Sequence, residues 1–215
     1  MITASTTARN GMRRAATEQR RREILDAALK CFLTHGVRDT TLEEIRELSS
    51  ASTGSIYHQF GSKDEIAFAL FVEGMRDYHD RVLAAAAGKR TARTLIRAII
   101  AAHLRITAEE PELSLYLTQM GTADEVGEIA AEYREAGDSF ARDLYAALKP
   151  FIDAGEIVAL PQELYFSLII GPAAHRCRSW LRGRSAADPR TAAEPLAEAA
   201  WRSLRGLGTT DRGSD

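Results

Sequence analysis

TTLEEIRELSSASTGSIYHQF, residues 40–60, followed at once by GSKDEI, residues 61–66, decides how this chain folds. Thr40 and Glu43 have the Ser/Thr-x-x-Glu spacing of a capping box, in which a hydroxyl takes a free amide of the first turn and the carboxylate reaches back. The spacing predicts a helix starting there. Leu42, Ile45 and Leu48 recur every three residues and give that helix one apolar stripe, while Glu43, Glu44, Arg46 and Glu47 face elsewhere. Ser49, Ser50, Ala51 and Ser52 then interrupt the period with residues that favour turns, and Ser52 is placed to cap a second short helix, Thr53 to Phe60. Two short helices joined by a tight turn make a helix-turn-helix.

The second helix is unusual in what it leaves uncovered. Ile56 and Phe60 lie four apart and can bury on one side, so Thr53, Gly54, Ser55, Tyr57, His58 and Gln59 remain for the other. A Gly inside a helix costs about 1 kcal/mol relative to Ala, which points to a surface where something bulky approaches the backbone at Gly54. The major groove of DNA is such a surface: its base edges are read from the N-terminal part of an inserted helix, and hydroxyl groups there donate to phosphates. The plainer alternative is a packing helix of an ordinary bundle. After Gly61, Ser62 and Glu65 repeat the capping spacing, and Lys63 falls in a first turn whose amides attract anions, an expected phosphate contact.

Thr-Thr-Leu-x-x-Ile from Thr40, Ser-Ile-Tyr-His-Gln-Phe from Ser55 and Ser-Lys-Asp-Glu from Ser62, with Phe32, Gly36 and Val37 upstream, resemble the DNA-binding domain of the TetR/AcrR family of bacterial transcriptional regulators over residues 18–70. One departure concerns the turn. Where that family has a Gly-Val-Ser type of turn, this chain has Ser50-Ala51-Ser52, so a left-handed backbone at Ser50 would carry about 1 kcal/mol of strain.

Composition agrees with a helical protein. The 215 residues are 45% hydrophobic and 7% aromatic, with Ala the obvious filler and β-branched runs scarce. Net charge is −2, which argues for no particular partner, but Arg9, Arg13, Arg14, Arg20, Arg21, Arg22, Lys30 and Arg38 outnumber Glu18, Glu23 and Asp26 beside the helix-turn-helix. A solvated surface would also show such a cluster. Cys31 and Cys177 are too few for a disulfide framework or metal site, no histidine spacing suits a metal, and no Ser/His/Asp set or phosphate-binding glycine pattern occurs. No cofactor is expected. No apolar run reaches membrane-spanning length, and Met1 to Thr17 lacks the apolar core of a signal peptide, so the expected location is the cytoplasm.

Met1 to Thr17 has no apolar period and reads as a mobile basic arm, from which Arg13 and Arg14 could reach DNA. Ile24, Leu25, Ala28, Leu29 and Phe32 stripe a first helix from Glu18 to His35, ended by Gly36, and Cys31 on it reads as a small buried hydrophobe rather than a sensor. The expected domains are 18–62 for DNA binding and 63–206 for a larger helical region, with 63–87 as the linking helix and a disordered tail at 207–215. Within the larger region Gly74 suggests close packing or a bend, Glu112 to Met120 reads as buried on most sides, and one helix runs from Ala123 to Asp153. A further helix opens at Pro161, is interrupted at Gly171-Pro172 and resumes to Leu181, and the last centres on Trp201.

The resemblance implies an all-α molecule with an N-terminal three-helix DNA-binding domain and a C-terminal helical ligand-binding and dimerisation domain. It implies a repressor, homodimeric through its two C-terminal helices, released from a palindromic DNA operator by a small-molecule effector. Expected DNA contacts are Thr40, Thr41, Tyr57 and Lys63 to phosphates, and some of Ser52, Thr53, Ser55 and His58 to base edges, with Gly54 allowing close approach. Expected pocket residues are Phe71, His103, Leu104, Tyr116, Met120, Tyr133, Phe140 and Phe166, large side chains on elements expected to converge. Polar groups among them are few, which suggests a largely apolar effector. A helical scaffold using the helix-turn-helix for protein contacts, or an enzyme on the same fold, are the competing readings.

Overall fold

A computed structural model describes the backbone of residues 3–121 and 129–206 and the side chains of residues 12–121 and 139–206. The described residues are helical, without strands: α1 (Thr3–Asp39), α2 (Leu42–Ser49), α3 (Thr53–Gln59), α4 (Lys63–Ala86), α5 (Ala92–Glu109), α6 (Pro111–Met120), α7 (Ile129–Asp153), α8 (Gln162–Ile169), α9 (Gly171–Leu181), a 3-10 turn at Pro189–Ala192 and α10 (Ala193–Leu204). The chain divides into two compact units, Met1–Glu73 and Gly74–Asp215, and the division falls inside α4. The expected tail at 207–215, the start of the expected helix at Ala123 and the side chain of Tyr133 lie outside the described residues.

In the first unit Ile24, Leu25, Ala27, Ala28, Cys31 and Phe32 bury one face of α1, which packs on α2. Helix α1 runs on upstream of Glu18, where residues 12–19 are all exposed. Burial does not hold residues 12–19 in place, and Met, Arg, Ala, Glu and Gln among them are good helix formers. At the other end Gly36 (φ 81°, ψ 160°) breaks the helical dihedrals, a backbone that a side chain would strain. Thr40 then folds back, its N–H and its hydroxyl both donating to the Gly36 carbonyl.

This fold-back moves the capping box by one residue. Thr41, not Thr40, caps α2: its Oγ1 accepts from the Glu44 N–H, and the Glu44 carboxylate accepts from the Thr41 N–H at 2.7 Å. The apolar stripe shifts with it. Ile45 and Ser49 are the buried residues of α2, while Leu48 is 52% exposed, so the three-residue repeat read from the sequence misplaced it. Ser50 is the one non-glycine residue with positive φ among the described residues (φ 52°, ψ 25°), and the turn after α2 is therefore left-handed at that position. Ser52 caps α3 by accepting from the Ser55 N–H at 3.1 Å. Below α3, the Arg21 guanidinium lies 4.5 Å from the Phe60 ring centre and pairs with Glu73.

The second unit is built around α5, whose Leu95, Ile96, Ile99, Ile100 and Leu104 are completely or almost completely buried. Helix α10 lies along it, placing Ala197, Ala200 and Leu204 in the same core, joined by Leu144 and Leu148 of α7, Ile169 of α8 and Ala173 of α9. Outside that core, Arg93 pairs with Glu198 and Arg97 with Glu194, both at 2.8 Å, between α5 and α10. Gly74 packs closely, since a Cβ there would stand 3.1 Å from Leu113 and 3.2 Å from Leu117. Helix α6 is less covered than its sequence suggests: Tyr116 alone is fully buried and Leu113, Leu115 and Leu117 are half-buried.

The end of the described chain is tied down. The Val158 N–H donates to the Leu204 carbonyl and the Gly206 N–H to the Glu156 carbonyl, both at 2.8 Å, closing an isolated bridge between Ile157 and Arg205. A Cβ on Gly206 would stand 2.0 Å from the Gly155 carbonyl oxygen. Only glycine fits there.

Candidate functional site

Two constellations stand out, one in each unit. In the first, α3 presents Ser52, Thr53, Gly54, Tyr57 and His58 to solvent, with Ser55 half-buried, while Ile56 and Phe60 hold its other side against the core. Tyr57 is 58% exposed. A large aromatic ring left standing in water on a capped, anchored helix has no packing role, and its hydroxyl is free to meet an external acceptor. No side chain grows from Gly54, and nothing approaches within 4 Å of where its Cβ would be, so another molecule can come close to the backbone there.

The expected phosphate contacts fare unequally. Tyr57 is open; Thr41 is exposed too, but its N–H and its hydroxyl both donate to the Glu44 carboxylate, at 2.7 and 2.9 Å, so it has no donor left for a phosphate. Thr40 is 2% exposed, and with its hydroxyl and amide both spent on Gly36 it has no donor to offer outward. Lys63 is half-buried and donates from Nζ to the Arg38 carbonyl at 2.6 Å, tying the start of α4 to the end of α1. Ser62 caps α4 through the Glu65 N–H, while the Glu65 carboxylate accepts from the Gly61 N–H at 2.8 Å. Around the reading face, Arg13, Arg14 and Arg22 are exposed on α1, whereas Arg20 pairs with Glu23 at 2.8 Å and Arg21 with Glu73.

The Cys31 thiol is buried, and desolvation followed by the Glu44 carboxylate pushes its pKa up, which keeps it protonated and unreactive. Cys177 in the second unit is likewise a buried thiol raised by desolvation.

In the second unit a polar and aromatic group lies among the hydrophobic helices. The Tyr78 hydroxyl and His103 Nδ1 are 2.8 Å apart. Phe140 stacks on His79, ring centres 4.1 Å apart and planes 4° from parallel, and meets Tyr78 at 5.9 Å. Phe166 meets Phe140 edge-on at 6.1 Å. Burial lowers both histidines to a pKa of about 4; Arg178 pushes His103 further down, while Asp80 and Asp143 partly counteract the effect on His79. Both rings are therefore neutral at pH 7. His103 Nε2 is buried and has no hydrogen-bond partner among the described residues.

Beside this group runs a cleft of about 290 Å³ between α7 and α8, lined by Ala141, Leu144, Tyr145, Leu148, Gln162, Glu163, Tyr165 and Phe166. Phe166 belongs to both, lining the cleft and touching Phe140. Of the expected pocket residues, His103, Phe140 and Phe166 are thus brought together. Leu104 is fully buried core, Tyr116 is buried outside the main cluster, Met120 is half-buried, and Phe71 belongs to the first unit. Tyr78 and His79 were not expected here, because their neighbours Met75 and Val82 make α4 read as one plain apolar stripe. Among the described residues no group of three His, Cys, Asp or Glu side chains could hold a metal ion, and no helix is long and apolar enough to cross a membrane.

Residues 24–70 match the sequence profile of the bacterial regulatory proteins of the tetR family. The chain is 25% identical over 152 residues to the fatty acid metabolism regulator protein of Bacillus subtilis, covering 68% of this chain and 78% of that one. It is 40% identical over 50 residues to the HTH-type transcriptional repressor AcnR of Corynebacterium efficiens, a match spanning 23% of this chain and only 27% of the repressor. Among solved structures, the transcriptional regulator FadR of Bacillus subtilis in complex with stearoyl-CoA superimposes with a TM-score of 0.74 at 22% identity, covering 83% of this chain and 96% of that chain. That likeness extends the similarity in fold from the helix-turn-helix to most of the second unit.

Proposed function

From the premise that this chain belongs to the TetR family of bacterial transcriptional regulators, we propose that it is a homodimeric repressor released from its operator by a small apolar effector. The exposed face of α3 carries this reading: a capped, anchored helix whose uncovered side is Thr53, Gly54, Tyr57 and His58. One such helix covers only a few base pairs, so useful affinity needs two of them on half-sites about 34–36 Å apart. Dimerisation thus follows from the reading task. It would use the outward faces of the C-terminal helices, where Leu164 of α8 is a large apolar side chain left exposed.

Phosphate positioning falls to Tyr57, with Arg13, Arg14 and Arg22 adding charge, and base reading to Thr53, Ser55 and His58 near the start of α3. Lys63 contributes through its remaining ammonium protons while it braces Arg38. The effector site is the aromatic group around Phe140 with the adjoining cleft. A ligand switches the protein only if it binds the DNA-free arrangement more tightly, by a few kcal/mol for a nearly complete shift. The apolar lining fits the acyl ligand named for the Bacillus subtilis structure in kind, and the chain performs no catalysis in this reading. Its place of action is the cytoplasm, with the DNA.

Footprinting of the purified protein on the intergenic DNA beside its own gene tests the proposal. Protection of two half-sites one helical turn apart, with affinity falling steeply as salt rises, is expected. A protein that ignores that DNA at low salt overturns the reading.

A further inference from the structure

His103 poses a question that packing does not answer. Tyr78 has one hydroxyl proton, and the neutral imidazole has one N–H. If Tyr78 donates to Nδ1, the ring proton sits on Nε2 and one donor is left without an acceptor among the described residues. If Nδ1 carries the proton instead, the Tyr78 hydroxyl proton also loses its partner, so two groups go unsatisfied. The first arrangement is the cheaper, and it leaves a buried N–H. Buried donors are nearly always paired, and an exception asks for a partner that arrives from elsewhere.

Resting on the effector reading above, we propose that His103 Nε2–H, held in that tautomer by Tyr78, is the hydrogen-bond donor that recognises a neutral oxygen acceptor, such as a ketone or ester carbonyl, on an otherwise apolar effector. The route to it is the side of the site where Phe166, 40% exposed, both lines the cleft and touches Phe140, which in turn meets Tyr78. The cleft as it stands stops at Phe166, so the Phe140 and Phe166 rings must turn aside to join it to the histidine. A neutral acceptor suits the surroundings better than an anion: the cleft lining holds Glu163 and no cation, Arg178, whose charge reaches His103, is itself exposed to solvent, and a neutral imidazole offers a dipole rather than a charge. Tyr78 is a positioning residue here. It fixes which nitrogen carries the proton, and its own hydroxyl stays protonated because burial raises its pKa.

Hexanophenone and hexylbenzene, which share a phenyl ring and an alkyl chain and differ by a carbonyl, separate this proposal from simple hydrophobic uptake. Calorimetry with the full chain is expected to show the ketone binding roughly tenfold tighter, the worth of one good buried hydrogen bond. His103→Phe should bring the two probes to equal affinity, and His103→Gln, which keeps an N–H, should restore part of the preference. Imidazole ¹⁵N spectra of the unaltered protein give a readout that needs no variant: a protonated Nε2 that shifts with the ketone and not with the hydrocarbon. Equal affinities in the native chain, no binding of either probe, a preference that survives His103→Phe, or a proton found on Nδ1 would each overturn the inference. Ketone binding through His103 without release of operator DNA would leave this inference standing and refute the effector part of the function.

Discussion

Ser50 carries a left-handed backbone with a side chain attached, between the two helices that matter most for recognition. Its strain is about 1 kcal/mol, and glycine removes it. Ser50→Gly should therefore raise the stability of the first unit by up to that amount, read as an upward shift of its denaturant midpoint; an unchanged or lower midpoint would show that the strain is relieved in some other way. Tyr57→Phe deletes only a hydroxyl from an exposed ring, so it should weaken every DNA sequence alike, whereas Thr53→Ala should change the ranking of operator variants. A Tyr57→Phe protein with undiminished operator affinity would remove Tyr57 from the phosphate contacts. The capping box read from spacing assigns the α2 cap to the wrong threonine. Thr40 and Thr41 are both threonines with a glutamate three residues on, and nothing in their spacing tells which one caps; the fold-back of Thr40 on Gly36 decides it. The left-handed Ser50, by contrast, was visible as a departure from a glycine-bearing turn.

At the scale of elements, short helices depend on their ends. Helix α3 runs only from Thr53 to Gln59, and Ser52 supplies its one side-chain cap. Ser52→Ala should cost about 1 kcal/mol of stability in the first unit and loosen operator binding with it. If amide exchange in α3 is as slow in the variant as in the native protein, the cap is dispensable. Helices α2 and α3 were legible from the sequence because caps and turn residues are local signals. The role of α4 was not, since Tyr78 and His79 fit an apolar stripe and only their contacts with His103 and Phe140, on other helices, make them part of a polar and aromatic group. Helix α10 shows the same limit. The resemblance assigns it to a dimer surface, but nothing local in the sequence tells that Ala197 and Ala200 pack on α5 within the chain.

For the molecule as a whole, acid should be the sensitive condition. His79 and His103 titrate near pH 4 when folded and near 6.5 when unfolded, so between those values the unfolded chain binds more protons. Stability is then full above about pH 6.5 and falls as pH drops toward 4. His103 alone accounts for about 2 kcal/mol by roughly pH 4.5, and half-exposed His79 for less. Urea denaturation at neutral and acid pH checks this: His103→Phe should lose markedly less stability on acidification than the native chain, and an equal loss would place the titrating groups elsewhere.

The glycine at 206 has a genetic consequence. Because its Cα sits against the Gly155 carbonyl, every missense change at that codon forces apart the seam holding the end of α10 to the α7–α8 turn. In a saturation screen for operator repression, position 206 should tolerate no replacement, while the neighbouring codon for exposed Arg205 should tolerate many. Survival of alanine at 206 with wild-type repression would mean that this seam can open without harm to the fold.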